Sequence, residues 1–285
     1  MKGMTLRAMT QAVNGIYHGN GEDYDKEITA ITIDSRKVTE GGLFIAIKGE
    51  RSHDFIGQCF EKGAACVISE KELPDEERSY IQVESSLQAL KDLALLYRNN
   101  LDVKVVGITG SVGKTSTKET ISSVLSEKYR VLKTLGNFNN EIGLPLTVFR
   151  LTEDDEVAVL EMGISDFGEM DRLSKIAQPD ICVITNIGFC HLENLGTRDG
   201  ILKAKTEIFN HMNPDGIVIV NGDDDKLSTI SQVHGKRPLV FGISNKDGVY
   251  ADNIKSLGLD GTSFTIHGIK TSDNYSTFDL TVPVP

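Results

Sequence analysis

Nothing in the 285-residue sequence approaches the run of about 20 apolar residues that a membrane-spanning helix needs. The opening MKGMTLRAMTQAV also lacks the long apolar stretch of a secretion signal. A cytoplasmic chain with no membrane insertion is therefore expected. Cysteine is scarce. Cys59, Cys66, Cys182 and Cys190 show no metal-ligand spacing, and Cys182 lies inside an apolar run. This argues for reduced thiols and against a disulfide framework. Positive charge is in deficit, with 30 Lys and Arg against 41 Asp and Glu and a formal net charge of −11. That argues against nucleic acid as a partner, and an anionic ligand would need local cations. Repeats and low-complexity tracts are missing too. The length allows one large or two ordinary domains.

What is present is organised around residues 103–117, VKVVGITGSVGKTST. Val103, Val105, Val106 and Ile108 read as a buried strand of a parallel sheet. The strand gives way to Gly110-Ser111-Val112-Gly113, and Lys114-Thr115 opens a helix expected to bury Ile121, Val124 and Leu125. Such a turn is a phosphate site. Glycines let backbone N–H groups close on phosphate oxygens, and the helix end adds partial positive charge. Lys114 would reach the β- and γ-phosphates, and the Thr115 hydroxyl would hold Mg²⁺. Candidate nucleotide contacts are thus Thr109, Gly110, Ser111, Val112, Gly113, Lys114, Thr115 and Ser116. The usual spacing has glycine where this chain has Ile108. The plain alternative is a glycine turn joining strand to helix.

Residues 1–84 read as a small α/β domain, with strands at 28–33, 43–47 and 64–69 and a helix at 55–62. Residues 71–78, KELPDEER, read as a solvated loop. Ser85 or Ser86 caps a helix carrying Leu87, Leu90, Ala94 and Tyr97 on one stripe, a linker over 85–100. From 101 to 285, apolar strands at 157–160, 181–184 and 217–220 alternate with helical stripes such as Met170, Leu173 and Ala177. This predicts a doubly wound, mostly parallel sheet. Ligands sit beyond the carboxyl ends of such strands, where Thr115, Glu161 and His191 fall.

Glu161 closes an apolar strand, where a lone carboxylate is costly unless it is paired or on a metal. Its hard oxygens suit Mg²⁺. His191 either caps a loop or serves the same site. Asp34-Ser35-Arg36 is either a turn with an Asp cap or a ligand site, since the Arg fork suits phosphates. Residues 223–225, DDD, read as an acidic turn. Lys205 shares a helical stripe with Ile201, Ala204, Ile208, Phe209 and Met212, whereas Lys203 points away. A buried ammonium tends to lose its proton, and the neutral amine can add CO₂ to become a carbamate. The alternative is a lysine that snorkels out at the helix edge.

T-G-S-V-G-K-T at 109–115, E-M-G at 161–163, T-N-I-G at 185–188, H-L-E-N-L-G-T at 191–197 and K-A-K-T-E-I-F at 203–209 together resemble the Mur ligases. The likeness runs through essentially the whole chain. One branch is matched further by L-G-N-F-N-N-E-I-G-L-P-L-T at 135–147 and by D-S-R at 34–36 followed by 43–49. The resemblance implies an ATP-dependent amide ligase of peptidoglycan precursor synthesis, acting through an acyl phosphate. Its substrates would be UDP-MurNAc-tripeptide and D-alanyl-D-alanine, its cofactors ATP and Mg²⁺. The family's phosphate loop shares the pattern seen at Ile108.

The resemblance also implies roles for single residues. Lys114, Lys205 and His191 would be catalytic, with Lys205 matching a lysine that is carbamylated in several members. Thr115, Glu161 and His191 would hold metal. Asn137 and Asn140 would reach the nucleotide, while Ser35 and Arg36 would serve the uridine-diphosphate end of the substrate. At Arg51-Ser52-His53-Asp54 the chain is shorter than the family's segment. Family members carry a third, C-terminal domain, and the chain stops at Pro285 before it, so an incomplete fragment is expected. Three rivals remain at this point: a ligase acting on another acceptor such as a folate, a P-loop kinase or NTPase, and a silent binding module.

Overall fold

Two sheets, joined by one long helix, carry the chain. The structure is a computed structural model and describes residues 1–47, 52–74, 78–270 and 275–283. Lys48, Gly49 and Arg51 lie outside these. Thr5 caps helix α1 (Leu6–Ala12) by accepting from the Ala8 amide, and Leu6 and Met9 face inward. The first sheet is built from β1 (Ile16–His18), β2 (Ile31–Thr32), β3 (Leu43–Ile45), β4 (Cys66–Ser69) and β5 (Tyr80–Gln82). Its order is β1-β5-β4-β3-β2. β1 runs antiparallel to β5, and the other pairings are parallel. Helix α2 (Ile56–Glu61) buries Ile56 and Cys59. Residues 28–33 contribute only β2, a shorter strand than their loose alternation predicts.

Helix α3 (Ser86–Asn99) leaves the first sheet for the second. The Ser85 hydroxyl accepts from the Gln88 amide, and Ala89, Leu90, Leu93, Ala94 and Tyr97 are buried. These belong to one apolar core that runs from Met4 to Leu227 and includes both sheets. The helix is fixed at its end by polar contacts. Tyr97 donates to the Leu151 carbonyl at 2.6 Å. The buried Arg98 guanidinium donates to the carbonyls of Ala177, Leu101 and Val103 at 3.2, 3.0 and 2.9 Å.

The second sheet begins with β6 (Lys104–Thr109), followed by α4 (Lys114–Ser126), β7 (Val131–Lys133), α5 (Gly143–Val148) and β8 (Val157–Glu161). Then come α6 (Glu169–Ala177), β9 (Ile181–Ile184), α7 (Leu192–Leu195), α8 (Arg198–Thr206), β10 (Ile217–Asn221) and β11 (Leu239–Gly242). Three longer strands finish it: β12 (Val249–Ser256), β13 (Thr262–Lys270) and β14 (Tyr275–Val282). The order is β14-β13-β12-β11-β10-β9-β6-β8-β7. Pairings from β7 to β12 are parallel, and β12 to β14 form an antiparallel meander. The fold class is therefore α/β, with a small N-terminal sheet and a large, mostly parallel one.

Two expectations need correction. Helix α4 buries Lys118 and Ser122, while Val124 is 68% exposed and Ile121 and Leu125 are half-buried. Ile121 and Leu125 still pack against the apolar cluster of Val106, Ile108, Val157, Val159 and Val183. Only Val124 therefore departs from the stripe, and beside it Lys118 turns toward the carboxyl end of β8. The stripe around Lys205 is not one continuous helix either. α8 ends at Thr206 and passes into a 3₁₀ turn, Glu207–Phe209, yet Ile208, Phe209 and Met212 remain buried.

Candidate nucleotide site

The carboxyl ends of β6, β8 and β9 converge at the glycine turn. Gly110 has φ +150°, and a Cβ there would stand 1.9 Å from the Thr185 hydroxyl oxygen. That hydroxyl donates to the Val112 carbonyl at 2.7 Å. The turn thus closes on the end of β9 so tightly that only glycine fits. Gly113, at φ +80°, occupies the N-cap of α4, and a Cβ there would meet open space.

Asn186 sets which amides stay free. The Ser111 amide is held by both the carbonyl and the side-chain oxygen of Asn186, each at 3.1 Å, and the Val112 amide by that side-chain oxygen at 3.0 Å. The sequence expectation gave Ser111 and Val112 to phosphate. Their amides are engaged by Asn186, whereas the N–H groups of residues 113–116 have no intrahelical acceptor. Ser116 lies exposed in that first turn. Thr109 is fully buried, and its hydroxyl has no partner among the described residues.

Lys114 folds back so that its ammonium donates to the Gly110 carbonyl at 2.9 Å. The buried Lys205 ammonium donates to the same carbonyl at 3.1 Å. Burial lowers the Lys205 pKa to about 8; Lys114 pushes the same way, and only Cys190 opposes. The stripe reading of Lys205 as an inward lysine holds, and the snorkelling alternative does not.

At the end of β8 the Thr115 hydroxyl donates to Glu161 Oε2 at 3.0 Å, and the Asn139 amide donates to Glu161 Oε1 at 2.9 Å. Glu161 is 3% exposed. A hydroxyl and a carboxylate within contact of each other, at the mouth of a phosphate loop, are the hard oxygen donors that Mg²⁺ takes, with water and phosphate completing its shell. Among the described residues no group of three or more His, Cys, Asp or Glu could hold a metal.

Lys114, Lys205, His191 and Asn140 line one cavity of about 490 Å³, together with Asn139 and Cys190. His191 sits in the left-handed region at the start of α7, with φ 53° and no side-chain cap. The Asn140 side chain caps α5, accepting from the amides of Ile142 and Gly143 at 3.2 and 2.8 Å. Asn137 is exposed and does not line this cavity. Sequence reasoning passed over Asn139 in favour of its neighbours. The run N-F-N-N offers three amides, and loop geometry alone decides which meets Glu161.

A second cavity, of about 480 Å³, lies between the two sheets, where Thr32, Asp34 and Lys37 face Phe138, Thr147 and Arg150. Ser35 and Arg36 are beside it but do not line it. The Arg36 fork binds Asp34 at 2.9 Å through each nitrogen, and the Ser35 carbonyl accepts from Lys62. Asp34 also caps the following 3₁₀ turn, and the Arg36 side chain, with the Arg36 amide, holds its carboxyl down at about 2. The acidic turn of 223–225 is a bracket for loops. Asp224 accepts from the Ile187 amide at 2.8 Å, and Arg198 pairs with Asp225.

Residues 108–284 match the Mur ligase middle domain, and residues 27–98 match the Mur ligase family catalytic domain. The chain belongs to the Mur ligase family. Among its relatives, the UDP-N-acetylmuramoyl-tripeptide–D-alanyl-D-alanine ligase of Bacillus subtilis is 42% identical over 272 residues, covering 94% of this chain and 58% of that protein. The Escherichia coli protein of the same description is 37% identical, over 83% of this chain and 52% of its own length. MurF from Acinetobacter baumannii superposes with a TM-score of 0.86 at 34% identity, over 98% of this chain and 60% of that one. MurF from Thermotoga maritima, solved in complex with ADP, superposes with a TM-score of 0.77 at 35% identity, over 88% and 58%. The chain therefore spans less than two thirds of the relatives it matches. Among the described residues no helix is long and apolar enough to cross a membrane.

Proposed function

We propose that this chain is the nucleotide- and acceptor-binding part of an ATP-dependent ligase that joins D-alanyl-D-alanine to UDP-MurNAc-tripeptide, through an acyl phosphate, in the cytoplasm. Residues 1–84 would bind the UDP-sugar, 85–100 would link, and 101–285 would bind ATP. The observation that carries the reading is Thr115 donating to Glu161 at the end of a strand adjoining the phosphate loop. The complex of a relative with ADP supports the nucleotide assignment.

In this reading the amides of residues 113–116 bind phosphate oxygens, and the Lys114 ammonium leaves Gly110 to neutralise them. Phosphoryl transfer needs alignment and charge neutralisation more than a covalent nucleophile. Thr115, Glu161 and His191 would hold Mg²⁺, which supplies part of that neutralisation. Asn140, on the cavity wall, would contact the nucleotide, as would Asn137 after a loop movement. Lys205 would carry the carbamate: its neutral amine adds CO₂ and releases a proton. The cavity between the sheets fits the acceptor, with Ser35 and Arg36 at its uridine-diphosphate end.

Calorimetric titration of the 285-residue chain tests this. UDP-MurNAc-tripeptide and Mg²⁺–ADP are each expected to bind, and a folyl substrate is not. Binding of the folyl compound, with none of the UDP-sugar peptide, would transfer the chain to a ligase of another acceptor.

A further inference from the structure

Lys118 is not needed to explain the fold, yet its ammonium is buried beside Glu161. It lies one turn beyond Lys114 on α4 and is 1% exposed. Its Nζ is 3.1 Å from Glu119 Oε1 and 3.9 Å from Glu161 Oε2. We propose that Lys118 is a positioning residue: it holds the Glu161 carboxylate turned toward the phosphate loop, ready for the divalent cation that accompanies the nucleotide. The inference rests on the nucleotide reading given above.

Glu161 needs a countercharge. Its two oxygens accept from neutral donors, Thr115 and Asn139, and neutral donors do not cancel a formal charge held at 3% exposure. Among the described residues Lys118 is the only cation within ion-pair distance of it. Glu119 has no such need, being half-exposed and also paired with Lys133. Ser122, one turn further along the same buried face, brings no charge, and its hydroxyl has no partner among the described residues.

Stability alone does not account for the arrangement, because apolar residues of similar volume serve a buried pair's place as well or better. The separation of 3.9 Å is the useful detail. It is close enough for Coulomb attraction in a poorly solvated place, yet too long for a hydrogen bond. Lys118 therefore biases the carboxylate without occupying the lone pair that Thr115 meets.

The test measures ADP binding by calorimetry with and without Mn²⁺, using Lys118→Met, Glu161→Gln and the double variant of the 285-residue chain. Lys118→Met is expected to weaken Mn²⁺-dependent ADP binding about tenfold or more, the usual range for groups that support a metal ligand. Metal-free ADP binding should not change. In the Glu161→Gln background, adding Lys118→Met should cost nothing further. Equal losses with and without Mn²⁺ would make the lysine a prop for the loop and overturn the proposal, as would an undiminished effect in the Glu161→Gln background. Should Lys118→Met not fold, Lys118→Arg keeps the cation and is expected to retain the Mn²⁺ effect; its loss there overturns the proposal too. A parent chain whose ADP binding ignores Mn²⁺ would instead sink the nucleotide reading.

Discussion

Lys114 and Lys205 meet at one acceptor, the carbonyl oxygen of Gly110, reached at 2.9 and 3.1 Å. Two ammonium groups on a single oxygen repel each other, and burial makes Lys205 yield its proton more readily than a free lysine does.

The first prediction follows from that proton. Burial, helped by Lys114, lowers Lys205 from 10.5 to about 8. Between those values the native chain binds fewer protons than the unfolded one, so stability rises as pH climbs from about 8 toward 10.5. The cost of burying the charged form is present below that window. Lys205→Met, which fits the apolar stripe, should be more stable than the parent at pH 7, by up to about 3 kcal/mol. The gap should close as the pH rises. Urea midpoints from pH 7 to 10 check this, and a gap that ignores pH counts against it.

Lys114 is a separate matter, being only half-buried. Lys114→Ala should leave the melting temperature nearly where it was, within about 0.5 kcal/mol in stability. ADP binding should fall to the limit of detection. Calorimetry together with a thermal melt separates the two effects, and near-normal affinity would remove Lys114 from the phosphate site.

Gly110→Ala places a methyl 1.9 Å from the Thr185 hydroxyl, at a φ of +150° that residues with a Cβ rarely adopt. Overpacking of this kind costs about 1–3 kcal/mol, and nucleotide binding should go with it because the turn must open. Thr185→Ala in the same chain removes the closest atom and should recover part of the stability. No recovery in chemical denaturation would mean that the backbone conformation, and not the clash, is the whole constraint.

How much of this was legible beforehand differs from place to place. The strands β6, β8 and β9 announced themselves because burial on both faces demands unbroken apolar runs, and β10 carries such a run although only Val218 and Val220 are buried. β12, β13 and β14 did not, since they carry mixed residues, with β13 half-exposed and β12 and β14 mostly exposed along their length. Lys205 could be read from its stripe, while Lys118 could not. Its stripe partner Ser122 is polar, and the helix's apolar residue Val124 turned out to face water. Asn186 sat in a visible motif, but only the close approach of two loops reveals that it occupies the amides of Ser111 and Val112.

Arg98 yields a fourth prediction. Its buried guanidinium satisfies three carbonyls from two segments, the stretch after α3 and the end of α6, and each unsatisfied buried acceptor costs about 1–3 kcal/mol. Arg98→Met should therefore lower stability by about 3 kcal/mol or more, read from the guanidinium chloride midpoint. A loss below about 1 kcal/mol would show that water reaches those carbonyls.

Helix α3 threads its apolar stripe through a core shared by both sheets, while the far face of each sheet keeps only a smaller cluster of its own. Cutting the polypeptide near residue 100 would strip each half of its other wall and leave two sticky pieces in place of two domains. Heat should dismantle the molecule in a single calorimetric event, with both sheets lost together.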